Sequence, residues 1–407
     1  MDRATAARLD AEDPLASFRD EFVPAGDVIY FDGNSLGRLP RRTVTRLSVV
    51  VDEEWGRGLV RSWSAWVDLP KRVGDRLGRA ALGAAEGQVI VADSTTVNLY
   101  KLAAAALDAR PGRLVVVHDP GDFPTDRYVL AGLASARRLT LRGATPAEAT
   151  TVIDRDVALV MFSAVDYRSG EVADVAPVTA AAHDAGALVL WDLSHAAGAL
   201  DVRLDEWGVD VAVGCTYKYL NAGPGSPAWL YVRRPLQGDL VPPVWGWFGQ
   251  DDQFAMGPRF SPAPGMRRWL SGTPPVLGLA AVDAGVALLE EAGIERVRAK
   301  GLALTRFAIE VADTRLAPLG FRAGPPRDPS RLGSHVALHH EEAYRLSRAL
   351  IEEASTVPDF RPPDVLRVGL SPLSTSFVDV WDGFEHLRRL AIERAWERYD
   401  PEPARVT

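Results

Sequence analysis

The sequence predicts an α/β protein: a large, mostly parallel sheet domain with helices on both faces, plus a smaller α+β domain. Three observations predict it. Short β-branched apolar runs alternate with helical stretches through the middle of the chain, and several of those runs end in a polar residue. After Thr273, Pro274 and Pro275 the texture changes to long amphipathic helices. A chain of 407 residues has room for two or three units at roughly 150 residues each.

The elements follow in order. Apolar runs at 88–91, 114–117, 158–162, 187–191, 211–213 and 229–232 are bounded by Gly, Asp and Pro and separated by helical stretches such as 97–107 and 178–184. Runs of this length and spacing read as strands buried on both faces of a parallel sheet. His118, Asp119, Ser163 and Asp192 stand at strand ends, where an open α/β sheet binds its ligand. Stretches 276–292 and 294–311 read as long helices, followed by helices near 341–354 and 378–399 and a strand at 365–370. The expected organisation is an N-terminal segment 1–45 joining the small domain, a large domain 46–280 and a small domain 281–407.

Composition narrows the function classes. Hydrophobic residues make up 47% and charged residues 25% of the chain, which excludes disorder and a membrane bundle. No apolar run approaches the roughly 20 residues of a membrane helix. A net charge of −8 gives no reason to expect a nucleic acid partner. The lone Cys215 fits a reducing compartment, and the opening MDRATAARLDAEDPLASF has no apolar signal core. The expectation is a soluble cytoplasmic chain. The seven histidines show no metal-binding spacing, so no metal is expected, and His339 and His340 read as an exposed loop.

Only four of the 46 basic residues are lysine. Lys71, Lys101 and Lys300 lie in helical stretches and read as solvated. Lys218 lies in GCTYKYLNAGPGS, between an apolar run and a Gly/Pro turn. There it is either a surface lysine or a desolvated amine able to attack a carbonyl. In WDLSHAAGA, Asp192 ends a strand and His195 follows. Asp192 is either a helix cap or the partner of a protonated ring nitrogen, as in pyridoxal phosphate (PLP) chemistry. Thr95 and Thr96 at a helix start suit an N-cap or a phosphate. Phe123 could stack on a flat cofactor, with Asp126 close behind.

Taken together, these motifs resemble the kynureninase family, over residues 15–390 or so. The motifs are YFDGNSLG (30–37), EEWGRGLVRSW (53–63), STTVNL (94–99), FPTDRY (123–128), WDLSHAAGA (191–199), GCTYKYLNAGPGS (214–226), GWFG (246–249) and SGTPP (271–275). The resemblance implies a fold-type I PLP enzyme in which Lys218 binds the cofactor, Asp192 holds the pyridine nitrogen with His195 beside it, and Phe123 and Asp126 lie at the ring. Thr95, Thr96, Ser163 and Tyr217 match cofactor contacts. Trp247 and Thr273 match positions supplied by the other subunit of a homodimer. Arg367 matches the arginine that grips the substrate α-carboxylate. Ser35 and Trp63 are expected near the substrate.

The implied reaction is hydrolytic cleavage of L-kynurenine or 3-hydroxy-L-kynurenine to the aminobenzoate and L-alanine in tryptophan degradation, with Tyr217 as a candidate proton carrier at the ketone. Ser374 replaces the aromatic of a PLY-like turn, the region 62–68 is short, and Trp245 adds an indole before GWFG; these touch ring specificity more than reaction type. Two alternatives stand beside this reading. A cysteine desulfurase or selenocysteine lyase would need a mobile-loop thiol, and Cys215 sits instead just before Lys218. A catalytically idle PLP-binding relative is opposed by the retention of Lys218, Asp192 and Arg367 together.

Overall fold

The computed structural model describes residues 1–402. In chain order its strands are β1 (Ile29–Tyr30), β2 (Val89–Val91), β3 (Val115–His118), β4 (Thr140–Gly143), β5 (Val157–Ser163), β6 (Leu188–Asp192), β7 (Val211–Gly214), β8 (Trp229–Val232), β9 (Arg322–Ala323), β10 (His335–His339), β11 (Thr356–Val357), β12 (Asp359–Arg361) and β13 (Val365–Gly369). Strands β2 to β8 form a seven-stranded sheet in the order β2-β8-β7-β6-β5-β3-β4. Strands β4, β3, β5, β6 and β7 run parallel, while β8 is antiparallel to both β7 and β2. The segment between β7 and β8 contains no helix. Without that crossover the chain returns antiparallel, and the resulting loop carries Lys218.

The parallel centre is apolar on both faces because both faces are covered. Successive residues of β6 enter opposite cores: Leu188 and Leu190 join Met161 and Val213, and Val189 and Trp191 join Val160 and Phe162. Helices Thr95–Asp108 and Pro124–Arg137 cover one face. Helices Leu69–Leu77, Val175–Asp184 and Val276–Ala292 cover the other. Each fully buried aliphatic side chain contributes about 1.5–3 kcal/mol relative to exposure. Strand β4 was not expected; it is a partly exposed edge strand, TLRG, with no continuous apolar run.

The small sheet is antiparallel, in the order β12-β13-β10-β9. Helices Ile294–Val311, Ala343–Ala354 and Phe377–Ile392 pack on it around Leu304, Phe307, Leu346, Leu366 and Phe384. The N-terminal segment reaches this region twice. Strand β1 pairs parallel with β11, Ile29 opposite Thr356. Asp10, on helix Arg3–Ala11, accepts the N–H groups of Phe377 and Val378 at 2.9 and 3.0 Å. Those are orphan donors of a helix N-terminus, which a carboxylate suits twice over. Among the described residues no helix is long and apolar enough to cross a membrane.

Three expectations about charged side chains are corrected. Lys101 is fully buried, its amine donating to Asp93 Oδ2 at 2.5 Å and to the Trp269 carbonyl at 2.8 Å. Lys300 is buried too, paired with buried Asp13 at 2.7 Å. Both lie on the inward side of their helices, where the partner carboxylate is distant in sequence or on a strained turn and so invisible to helical periodicity. His339 ends β10 beside Asp364, and His340 is buried against Phe321 with ring centroids 4.3 Å apart. Lys71 meets the expectation, exposed and paired with Asp75 one turn on.

Candidate active site

Sheet register brings the site together. Ser163 of β5 lies opposite Asp192 of β6, and Asp192 lies opposite Val213 of β7. The carboxyl ends of three parallel strands therefore stand abreast, and the chain leaving β7 reaches Lys218 four residues after Gly214. Gly37, closing the FDGNSLG motif, donates its N–H to the Tyr217 carbonyl at 2.7 Å. A Cβ there would lie 2.2 Å from the Lys218 carbonyl oxygen, so only glycine allows this approach.

One cleft is lined by Ser35, Thr95, Thr96, Phe123, Asp126, Ser163, Asp192, His195, Tyr217, Lys218 and Arg367. Lys218 Nζ is 3.3 Å from His195 Nε2. Burial, and next the charge of Lys218, push the His195 imidazole well below its usual pKa, so the ring is neutral at pH 7. Asp192 accepts the Ser194 N–H at 2.6 Å through Oδ1. Asp126 is buried with Oδ2 unpartnered. Its carboxyl is pushed well above the usual range by burial and then by Asp192 and Asp122. Burial also raises the Tyr217 hydroxyl, which keeps its proton at neutral pH.

These features fit a flat, phosphorylated, nitrogen-containing ring. A buried carboxyl without a partner beside a second carboxylate is a site prepared for a proton or a cation. Thr95 and Thr96 open the helix Thr95–Asp108, whose Ser94 cap accepts only from Val97, leaving backbone donors for an anion. Phe123 is 41% exposed, held edge-on against Tyr167 at the cleft.

Trp247, Thr273 and Trp63 are not in this cleft. Thr273 and Trp63 line a second, apolar one with Trp55, Trp66 and Pro275. Trp247 is 41% exposed and packs on Phe248, which also touches Trp63. Pro275 borders both this cleft and the mouth formed by Thr95, Thr96 and Tyr217. Trp245 is exposed and stacked on Phe260, and Ser374 is buried, its N–H bonded to the Ser371 carbonyl at 3.0 Å.

Several site residues were missed by sequence reasoning. Asp122 accepts the Ser163 hydroxyl and N–H at 2.7 and 3.0 Å, and its carboxyl is pushed up to about 6 by burial. Asn34 and Arg361 line the cleft near Arg367. Arg367 is bonded to Asp359, to the Tyr167 carbonyl and, at 2.9 Å, to Ser35 Oγ. The D-x-R spacing at Asp359 and Arg361 would have signalled two residues on one face of a strand.

A family model described as the kynureninase C-terminal domain matches residues 297–387. The kynureninase of Pseudomonas fluorescens is 43% identical over 398 residues, 95% of each chain. The chain belongs to the kynureninase family. The kynureninase of Burkholderia pseudomallei strain K96243 is 42% identical over 403 residues, 97% of this chain and 96% of the relative. Among solved structures, apo cysteine desulfurase from Thermococcus onnurineus NA1 superposes with a TM-score of 0.80 at 17% identity, covering 94% of this chain and 98% of that one. A C-DES mutant with glycine covalently linked to its PLP cofactor gives 0.79 at 17% identity, covering 92% and 98%. Identity that low carries the fold, which kynureninases and these enzymes share. Cys215 is buried, with burial raising its thiol, the opposite of a reactive cysteine.

Proposed function

We propose that the chain hydrolyses the Cβ–Cγ bond of L-kynurenine, 3-hydroxy-L-kynurenine or both, giving the corresponding aminobenzoate and L-alanine in tryptophan degradation, with PLP as cofactor. One observation carries the reading: an amine, a buried carboxylate and a guanidinium from Lys218, Asp192 and Arg367 converge on one cleft in a chain of the kynureninase family. When bound, PLP supplies an aldehyde that captures the substrate amine and a protonated ring that draws off the electrons left at Cα and Cβ.

The residues then divide the work. Thr95 and Thr96 offer backbone and hydroxyl donors to the phosphate, with Tyr217 at the same mouth. Phe123 offers a face to the ring, Ser163 and His195 flank it, and Asp192 keeps the ring nitrogen protonated. Asp126, carrying a proton itself, adds no charge of its own beside Asp192. Lys218 anchors the cofactor and moves the proton at Cα. Water adds to the ketone carbon, and Tyr217 carries a proton at the ketone oxygen. The α-carboxylate enters the end of the cleft that holds Arg367 and Ser35.

The reading includes a cytoplasmic homodimer in which Trp247 and Thr273 complete the partner's site, with Trp63 near the substrate, and a division into an N-terminal segment 1–45, a cofactor-binding domain 46–280 and a small domain 281–407. Steady-state turnover of L-kynurenine and of 3-hydroxy-L-kynurenine, followed through the aminobenzoate and alanine, tests it. Cleavage of at least one is expected. No cleavage of either, by protein with the absorbance of bound cofactor, would sink the reading.

A further inference from the structure

A fully buried ammonium lies behind the phosphate mouth. Lys101 Nζ donates to Asp93 Oδ2 at 2.5 Å and to the Trp269 carbonyl at 2.8 Å. Burying an ammonium is costly, and well-packed apolar side chains would join two segments as firmly. What the amine adds is direction: two short N–H contacts fix the relative position of the two stretches of backbone that it joins.

The first stretch builds this chain's own mouth. Asp93 lies between β2 and the Ser94 cap of helix Thr95–Asp108, in the left-handed region at φ 48°. A residue with a Cβ holds that conformation only where its neighbours fix it. Its carbonyl accepts the Ala228 N–H at 2.8 Å, and its carboxylate takes Lys101. Asp93, Thr95 and Thr96 line the mouth with Tyr217 and Pro275. Asp93 is thus an anion at a mouth that receives an anion, and Lys101 offsets its charge at contact distance.

The second stretch carries residues that the homodimer would hand to its partner. Trp269 closes the turn Gly265–Trp269, four residues before Thr273. The GWFG segment lies directly against this stretch: a Cβ on Gly246 would stand 1.8 Å from the Ser271 carbonyl oxygen. Trp247 and Thr273 therefore ride on one packed unit, and Lys101 fastens that unit to the Asp93 turn.

We propose that Lys101 is a positioning residue for both phosphate mouths of the dimer. Through Asp93 it shapes the mouth of its own chain, and through the Trp269 carbonyl it sets the reach of Thr273 into the partner's. The proposal rests on the homodimer reading above.

The test removes the tie without stranding a charge, in the double variant Lys101→Met, Asp93→Asn. Apoprotein is titrated with PLP and with pyridoxal, the same aldehyde without the phosphate, by the absorbance of the lysine-bound form. The dissociation constant for PLP is expected to rise about ten- to a hundredfold, the worth of a charge-assisted contact, with that for pyridoxal within a few-fold. Unchanged PLP binding, or pyridoxal weakened in step with PLP, overturns the proposal. Lys101→Gln, a donor too short to reach both partners, carries the same expectation and covers a failure of the double variant to fold.

Hybrid dimers, purified by a different tag on each chain, separate the two arms. Paired with Lys218→Ala, the double variant holds the working site and receives an intact chain's Thr273, so a loss there reports on the Asp93 turn. Paired with Thr273→Glu, which sets a negative charge against the phosphate, the double variant lends its Thr273 to the working site, so a loss there reports on the Trp269 arm. The PLP concentration for half-maximal activity is expected to rise in both hybrids, relative to the hybrid of Lys218→Ala with Thr273→Glu. A rise in only one, or in neither, overturns the two-sided tie. Inactivity of that reference hybrid would instead sink the shared sites, and the proposal with them.

Discussion

Asp32 faces Asp359 and Arg361 from strand β12, Arg367 from β13, Ser35 and Tyr30 on its own segment and Tyr219 from the Lys218 loop. Its Oδ1 is buried without a partner, and burial first, then Asp359, push its carboxyl from the ordinary 3.8 up to about 7. Below that value Asp32 is neutral and the two-guanidinium corner keeps its net positive charge; above it the corner is neutral. KM for L-kynurenine is therefore expected to rise with pH through about 7, and Asp32→Asn to flatten that rise. A KM profile identical in the two proteins would remove Asp32 from the corner's charge balance. The sign for stability runs the same way. The folded chain keeps this proton while the unfolded chain has lost it, so stability falls between about pH 4 and 7 and the Asn variant lacks that fall. At the other end of the cleft, Lys218→Ala is expected to lower turnover by at least about 10²–10⁴-fold through the lost proton transfer alone, and to remove the absorbance of the lysine-bound cofactor. Tyr217→Phe should slow C–C cleavage in single-turnover experiments; an unchanged cleavage rate would take Tyr217 out of the ketone step.

At the scale of elements, the buried pair Lys300–Asp13 ties the N-terminal segment to helix Ile294–Val311. Lys300→Met leaves the Asp13 carboxylate buried and unpaired, a loss of about 3–5 kcal/mol, read as a lower denaturation midpoint. The double variant Lys300→Met, Asp13→Leu should recover most of it, because well-packed apolar groups replace a buried pair at little cost. Lys300 also shows where sequence reading stops. The two helices Val276–Ala292 and Ile294–Val311 are legible to the residue, because apolar periodicity and the intervening Gly293 act locally. Strands β5 to β8 are legible to within a residue at each end, because their apolar runs need no knowledge of their neighbours. Lys218 and Asp192 stood out in the sequence because Asp192 closes such a run and Lys218 closely follows one, each inside a specific motif. Asp359, Arg361 and Asp122 were not, since their meaning comes from cross-strand register and from loops that meet only in the fold. A charged residue on a helix is solvated or paired according to what packs on it, and 287 residues separate Lys300 from Asp13.

At the scale of the whole molecule, several large apolar side chains lie exposed, which the proposed homodimer would cover. Trp55, Val60, Trp245, Phe254 and Met256 are between 58% and 75% exposed, and Trp55 lines the cleft that holds Trp63 and Thr273. Exposed apolar patches of this kind mark interaction surfaces, and a self-complementary two-fold contact is the commonest way a chain covers one. If the partner's Thr273 reaches the phosphate mouth, each site draws Lys218 from one chain and Thr273 from the other. Two inactive variants then complement each other. Thr273→Glu places a negative charge against the phosphate and should inactivate, as Lys218→Ala does. A hybrid dimer has one site that carries both lesions and one that carries neither. Random mixing makes about half the dimers hybrids with one intact site each, so activity should return to about a quarter of wild type. The measurement is turnover after the two variants are unfolded together and refolded, against each refolded alone. No recovery, from variants that each refold to dimers, would mean that both residues serve the same chain's site.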